Sequence, residues 1–247
     1  MIPYVRRKKI LNDLNKNELI YIEDLINKFS EVSESTIRRD LKQLEEDGYL
    51  DYLSGGAVKL RTTSYDMPLQ KKQELHTKEK KAIARYAASL VQEGEVIYID
   101  SGTTTLEMID YLKDKKIKIV TSNTVFINNI HEYKFDCILL GGEISSDLGS
   151  VGGPITERQL QELYFDKAFI GASGYSLESG INTPDTREAT KKRIVKEHSK
   201  KTYVLVDGSK AYKQTFCKAF DIDECVIITN EENSILKENA EYVIVED

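Results

Sequence analysis

Two hydrophobic rhythms divide the chain. Through the first sixty residues, apolar positions recur three and four apart, the period of one helix face. Ile10, Leu11 and Leu14 mark a first helix, with Arg6, Arg7, Lys8 and Lys9 at its start; Ile22, Leu25, Ile26 and Phe29 mark a second. Ile37, Leu41 and Leu44 mark a third, which Ser33 can cap through its side-chain oxygen and Gly48 can end. Only about four residues, 30–33, part the second helix from the third, the turn length of a helix-turn-helix. Residues 50–53 and 57–60 flank Ser54-Gly55-Gly56 and predict a small two-stranded wing. From Lys78 the rhythm changes. A helix through Ala82, Ile83, Tyr86, Ala87 and Leu90 closes at Gly94, and short apolar runs then alternate with helical stretches. The runs are 96–99, 117–120, 137–140, 168–170, 203–206 and 226–228, and a helix is also expected after Asn123. Repeated strand-loop-helix units predict an α/β domain with a largely parallel sheet. Between the two rhythms, 61–77 is polar, mixed in charge and contains Pro68, so it reads as a linker. The expected organisation is a helical module with a small β wing over 1–60, a linker over 61–77 and an α/β domain over 78–247.

The third helix has two unlike faces. At about 100° per residue, Ile37, Leu41 and Leu44 share one side, and Ser35, Arg39, Lys42 and Gln43 fall opposite. Ser33, Thr36 and Arg38 extend the polar set. Such a face suits a DNA major groove, where Arg pairs bidentately with guanine and Gln with adenine. The same spacing also suits a plain three-helix module or a protein-docking winged helix. Charge does not decide between them, since residues 1–60 hold ten Lys/Arg and eleven Asp/Glu, a balance of −1.

In the second region every strand run ends in small or polar residues, and parallel sheets bind ligands at the carboxyl ends of their strands. Asp100-Ser101-Gly102-Thr103-Thr104-Thr105 is the most chemical of these ends. Gly102 admits a close ligand, the hydroxyls donate, and a following helix start favours an anion. Ser/Thr capping of an ordinary helix explains the same residues. Lys192 and Lys210 can add positive charge, or be solvated. No Gly-x-x-x-x-Gly-Lys-Ser/Thr and no Gly-x-Gly-x-x-Gly occurs, which excludes the common nucleotide loops.

Composition narrows the class further. Of 247 residues, 40% are hydrophobic and 31% charged, with a net charge of −6, which disfavours nonspecific adhesion to nucleic acid or anionic lipid. Cys137, Cys217 and Cys225 lack Cys-x-x-Cys spacing, and Cys137 reads as a small core residue. His76, His131 and His198 are scattered, so no metal or other cofactor is expected. There is no apolar leader after Pro3 and no run of about 18 apolar residues, so a cytoplasmic protein without membrane partners is expected.

The order Val32-Ser33, Thr36-Ile37-Arg38-Arg39-Asp40-Leu41, Leu44-Glu45, Gly48 and Gly55-Gly56-Ala57 resembles the N-terminal domain of the DeoR family of bacterial transcriptional regulators. Farther on, Asp100-Ser101-Gly102-Thr103-Thr104, Thr121-Ser122-Asn123, Gly141-Gly142, Gly171 with Gly174, Glu188-Ala189 with Lys192, and Asp207 with Ser209-Lys210 resemble landmarks of the family's effector domain, which is similar to ribose-5-phosphate isomerase folds. The resemblance implies a winged helix-turn-helix joined to a sugar-phosphate-sensing domain. It implies a homo-oligomeric repressor of a carbohydrate-utilisation operon, with operator DNA and a phosphorylated sugar as partners. Its implied DNA-binding set is Ser33, Ser35, Thr36, Arg38, Arg39, Lys42 and Gln43. Its implied effector set is Asp100, Ser101, Gly102, Thr103, Thr104, Asn123, Gly141, Gly142, Gly171, Ser173, Lys192, Asp207 and Lys210. The family's wing usually carries basic residues and a His, where this chain has Asp51, Tyr52 and Ser54. The competing readings are a sugar-phosphate isomerase or deaminase with an added DNA module, for which the sequence offers no convincing catalytic set, and a protein–protein adaptor.

Overall fold

A computed structural model describes residues 1–17, 19–63, 69–125 and 133–246. The first region folds as α1 (Pro3–Lys16), β1 (Ile20–Tyr21), α2 (Ile22–Lys28), α3 (Glu34–Glu46), β2 (Leu50–Leu53) and β3 (Ala57–Leu60). Pro3 opens α1, where its missing N–H costs nothing. Gly48 closes α3 at φ 80°, with Tyr49 N–H donating to Leu44 O and Gly48 N–H to Glu45 O. That is a Schellman closure, and it turns the chain straight into the wing. Ile10, Leu14, Leu25, Phe29, Ile37, Leu41, Leu44, Leu50 and Val58 form the core.

Three details depart from the sequence reading. The wing gains a third strand, because β1 pairs antiparallel with β3 through Ile20↔Val58 and Tyr21↔Ala57. Ser33 stands at the N-cap of α3 without a side-chain cap bond; its hydroxyl meets those of Ser35 at 3.1 Å and Thr36 at 2.8 Å. Arg6 turns inward, away from the basic run that opens the first helix in the sequence. It is buried against Asp40 of α3, tying α1 to the inner face of that helix.

The second region holds a seven-stranded parallel sheet. Its strands are β5 (Val96–Ile99), β6 (Lys118–Thr121), β7 (Asp136–Leu139), β10 (Phe165–Gly171), β13 (Ser199–Leu205), β16 (Val226–Thr229) and β17 (Glu241–Ile244), and they lie in the order β17-β16-β13-β10-β5-β6-β7. Smaller pairings surround it: the β8 (Glu143–Ser145) and β9 (Ser150–Gly152) hairpin, and an antiparallel sheet of β11 (Gly174–Ser176), β12 (Gly180–Thr183) and β15 (Cys217–Phe220). The helices are α4 (Leu69–Glu74), α5 (Thr77–Ser89), α6 (Thr103–Leu106), α7 (Ile109–Leu112), α8 (Pro154–Gln161), α9 (Thr186–Glu197) and α10 (Ser234–Asn239). Cys137 lies on the edge strand β7 and is half-buried rather than a core residue. The helix expected after Asn123 falls on 126–132, outside the described residues.

The chain starts this sheet in the middle. From β5 it moves to β6 and β7 on one side, then crosses to β10 on the other side of β5 and continues outward. The order therefore reverses between β5 and β10. Such a switch point opens a crevice beyond the strand ends.

Residues 61–77 hold more than a linker. β4 (Thr62–Thr63) pairs parallel with β14 (Gln214–Thr215), and α4 follows; residues 64–68 lie outside the described part. The two regions also touch directly. Lys8 Nζ lies 2.9 Å from Glu231 Oε1, and the Tyr4 hydroxyl donates to the same carboxylate. The Tyr49 hydroxyl donates to Ser209 O at 3.2 Å.

Candidate functional site

On α3 the apolar stripe pins one face into the core and leaves the other outside. Ser33, Ser35, Arg38, Arg39, Lys42 and Gln43 are exposed, and Thr36 is half-buried. Arg38 Nε donates to Glu34 Oε1 at 2.8 Å, an exposed i,i+4 pair that costs little to break. Gln43 Nε2 reaches Asp47 Oδ1 at 3.0 Å. Arg39 and Lys42 make no ion pair among the described residues. In the wing, Asp51 sits opposite Lys59 and accepts from Arg61 Nε at 2.6 Å, so its charge is matched within the module. The Tyr52 hydroxyl contacts Arg38 O at 3.4 Å and holds the wing against α3.

The crevice at the switch point is lined by Asp100, Ser101, Gly102, Thr103 and Thr104 after β5, and by Gly171, Ala172 and Ser173 after β10. Lys192 and Glu188 rise from α9, Lys80 from α5, and Lys72 and Leu69 from α4, with Lys210 at the rim. The space amounts to about 650 Å³, part of it open solvent. Gly102 and Gly171 face each other where the two loops meet, and a Cβ on Gly102 would stand in ordinary contact with Gly171 Cα at 3.4 Å. The helix after the Asp100 loop, α6, spans only four residues, and Thr105 spends its hydroxyl on Asp100 O and Gly102 O, each at 2.8 Å. The expected anion attraction of that helix start is therefore slight, because a helix dipole needs length.

Buried charge shapes this crevice. Asp100 is 1% exposed; its Oδ2 accepts from Gly171 N–H at 3.0 Å and pairs with Lys192, while Oδ1 has no hydrogen-bond partner among the described residues. Lys192 lies 3.7 Å from Glu188 Oε2, and Glu188 Oε1 takes Lys191 Nζ at 2.8 Å and Ser150 Oγ at 2.8 Å. Lys191, wholly buried, also donates to Ser122 Oγ at 3.1 Å, Ser150 Oγ at 2.7 Å and Val151 O at 2.7 Å. Burial alone would raise the Glu188 pKa, but the two lysines overcome it and hold the carboxyl at about 2. The two lysines and two carboxylates of this network cancel in charge. Lys72, Lys80 and Lys210 also stand on the walls, Lys80 donating to Lys72 O, and burial pushes the Lys80 ammonium below its ordinary pKa.

Of the thirteen residues expected here, nine line the crevice. Asp207 lies next door, capping Ser209 N–H at 2.9 Å in the cavity that Lys210 shares. Asn123, Gly141 and Gly142 are elsewhere. Asn123 turns its Oδ1 to Val125 N–H, and Gly141 O accepts from Thr156 Oγ1 and Gln159 Nε2 on α8. The sequence reading missed Lys72, Lys80 and Glu188 as wall residues. Lys80 did leave a signal, since it occupies the stripe of Ile83, Ala84 and Ala87.

Comparison with known proteins agrees with this arrangement. Residues 6–63 match the DeoR-like helix-turn-helix domain, and residues 75–231 match the DeoR C terminal sensor domain. This chain belongs to the DeoR family. It is 36% identical over 240 residues to the HTH-type transcriptional regulator FruR of Bacillus subtilis, covering 97% of this chain and 95% of that one. It is 29% identical to the lactose phosphotransferase system repressor of Staphylococcus epidermidis, over 96% and 95% of the two chains. It is also similar to ribose 5-phosphate isomerase A from Neisseria gonorrhoeae, at 21% identity and TM-score 0.40, over 57% of this chain and 54% of that one. The matched helix-turn-helix segment spans α2 and α3, and the matched sensor domain supplies the crevice walls apart from Leu69 and Lys72 of α4. No helix among the described residues is long and apolar enough to cross a membrane.

Proposed function

We propose that this DeoR-family regulator is a cytoplasmic repressor of a carbohydrate-utilisation operon that releases its operator when a phosphorylated sugar fills the Asp100 crevice. The observation that carries the reading is Asp100 itself. Its charge is neutralised by Lys192, so it tolerates a neighbouring phosphate, and its unpartnered Oδ1 can accept a sugar hydroxyl. Ser101, Thr103, Thr104 and Ser173 supply donors, and Lys72, Lys80 and Lys210 supply positive charge. The names of the relatives support the same reading. Operator contact falls to Ser33, Ser35, Thr36, Arg38, Arg39, Lys42 and Gln43, in a homo-oligomer whose symmetry reads paired half-sites. Residues 1–60 form the DNA-binding unit and 78–247 the sensing unit.

An enzyme reading fares worse. Glu188, held at about 2, is far too weak a base near neutral pH, where a general base works best with a matched pKa. Asp100 is tied to Lys192 and Gly171. The deciding experiment is an electrophoretic shift of the chain on its own upstream DNA, with and without a panel of sugar phosphates, beside a turnover assay on the same compounds. Effector release needs a preference of about 10⁴ between conformations to move occupancy from 99:1 to 1:99. Turnover without any shift would favour the enzyme.

A further inference from the structure

A second cavity opens where the two domains meet. Tyr49 and Arg61 line it from the DNA-binding side, and Asp207, Lys210 and Lys213 from the sensor side. It encloses about 1470 Å³, part of it open solvent. It adjoins the Asp100 crevice, since Lys72, Lys80, Ser173 and Lys210 belong to the walls of both.

The groups facing this cavity are not those of an ordinary seam. Lys213 holds its ammonium 4.8 Å from the Tyr49 ring centroid and makes no ion pair among the described residues. Burial, and then the charge of Lys210, push it down to about 8. The ammonium is half-buried, and Asp207 and Asp47 act on its charge only from beyond ion-pair distance, so a bound anion gives it the close partner it lacks. Asp207 is 1% exposed; its Oδ1 caps Ser209 N–H, and its Oδ2 has no hydrogen-bond partner among the described residues. Buried acceptors of that kind call for a donor. Asp100 Oδ1 is in the same position in the adjoining crevice. Two carboxylate oxygens therefore await donors, with Lys80 on the shared wall and Lys213 beyond it. Hydroxyls of one polyol can supply both donors, and anionic groups at its two ends can meet the two ammonium groups.

We infer that the interdomain cavity is a second anion subsite, and that the effector is a polyol bearing two anionic groups, as a sugar bisphosphate does. This rests on the reading of the Asp100 crevice as a sugar-phosphate site. One phosphate occupies the crevice. The second reaches Lys213 beside Tyr49 and Arg61, so the ligand touches both domains at once. Such a ligand prefers the docked arrangement of the DNA-binding domain, and that preference is what couples sensing to operator affinity.

Titration calorimetry on the full chain tests the inference, using glucose and fructose monophosphates, their 1,6-bisphosphates, and inorganic phosphate as probes. A bisphosphate is expected to bind at least about tenfold more tightly than the matching monophosphates, the return of roughly one charge-assisted contact. Lys213→Met should erase that advantage while leaving monophosphate affinity within about twofold, since the crevice itself is untouched. Retained monophosphate binding also reports that the variant is folded. Lys213→Arg should keep most of the advantage. Equal affinity for mono- and bisphosphates, or an advantage unchanged in Lys213→Met, overturns the second subsite and leaves the crevice reading standing. Failure of every sugar phosphate and of inorganic phosphate to bind overturns the crevice reading, and the second subsite with it.

Discussion

Two helices of this protein carry a pair of adjacent cations, and the fold uses them in opposite ways. On α3, Arg38 and Arg39 follow Ile37 and stand outside the core stripe, exposed. On α9, Lys191 and Lys192 are buried with Glu188, Ala189, Ile194 and Val195. Among the described residues the exposed pair has one weak ion-pair partner, Glu34, which leaves guanidinium groups for an outside ligand. The buried pair is fixed by Glu188, Asp100, Ser122, Ser150 and Val151 O. Burying an ion costs several kcal/mol unless it is paired and hydrogen-bonded, whereas an exposed pair contributes about 0.3–0.5 kcal/mol. Like charges in sequence thus carry unlike work. On α3 they stand in solvent, where the proposed operator contact would use them, and on α9 they pair with the buried carboxylates of a crevice wall.

The sharpest test of this contrast removes one buried cation. Lys192→Ala leaves Asp100 buried without its counter-charge and should cost about 3–5 kcal/mol of stability, read from urea unfolding. Arg6→Ala should behave alike in the DNA-binding domain, where Asp40 loses the one ion-pair partner it has among the described residues. A loss within about 0.5 kcal/mol for Lys192→Ala would mean that Asp100 is solvated, and α9 would then resemble α3.

Acid should separate the two helices next. The Glu188 carboxyl titrates below its ordinary 4.5, at about 2. A depressed carboxylate stabilises the fold fully above its unfolded value and loses that contribution as pH falls through the folded one. Stability should therefore decline below pH 4.5 toward 2, and Glu188→Gln should flatten the decline. An identical acid profile in that variant would place the sensitivity elsewhere.

On α3 the effect belongs to DNA rather than to folding. Arg39→Ala should leave unfolding unchanged within about 0.5 kcal/mol and weaken operator binding by about 1–3 kcal/mol, if it reads a guanine. Fluorescence anisotropy on operator and random DNA separates the roles. Equal losses on both would reduce Arg39 to a phosphate contact.

The α3 and α9 pairs also show how far the sequence could be read. The stripe of Ile37, Leu41 and Leu44 placed Arg39 correctly, because an exposed face follows from local period alone. The crevice loops at 100–104 and 171–173 were legible for a similar reason, as small and polar residues at strand ends. What faces Lys192 was not, since Asp100 arrives from 92 residues away. Gly141 and Gly142 looked like ligand-facing strand ends, yet a Cβ on Gly142 would fall 2.1 Å from Thr156 Oγ1 and 2.6 Å from Gly152 O. Those glycines let a turn pack against α8, and a strand-end glycine reads the same in sequence whether its neighbour is a ligand or a helix. β1 has two residues, too few for a period to show, and β17 lies at the sheet edge beyond the last apolar run read from the sequence.

The smallest expected effect concerns the wing, whose charge arrangement falls between the two helices. Asp51 is about one-third exposed and paired with Arg61, a half-sheltered bridge that is neither offered to a partner nor locked in a core. Its acidity in place of a basic wing residue suggests repulsion of phosphate, but Arg61 offsets much of that field at 2.6 Å. Asp51→Ala should cost the fold no more than about 1 kcal/mol, as for other surface pairs. On DNA it should tighten binding modestly by releasing Arg61, and steepen the slope of log affinity against log salt by up to about 0.9, the value for one added phosphate contact. The measurement is a salt series from low to moderate ionic strength for both proteins on the same operator. A steeper slope places the wing beside the backbone and makes Arg61 a contact that Asp51 restrains. An unchanged slope with unchanged affinity places the wing away from phosphate. Arg61 would then face only the interdomain cavity, and the DNA grip would rest on α3 alone.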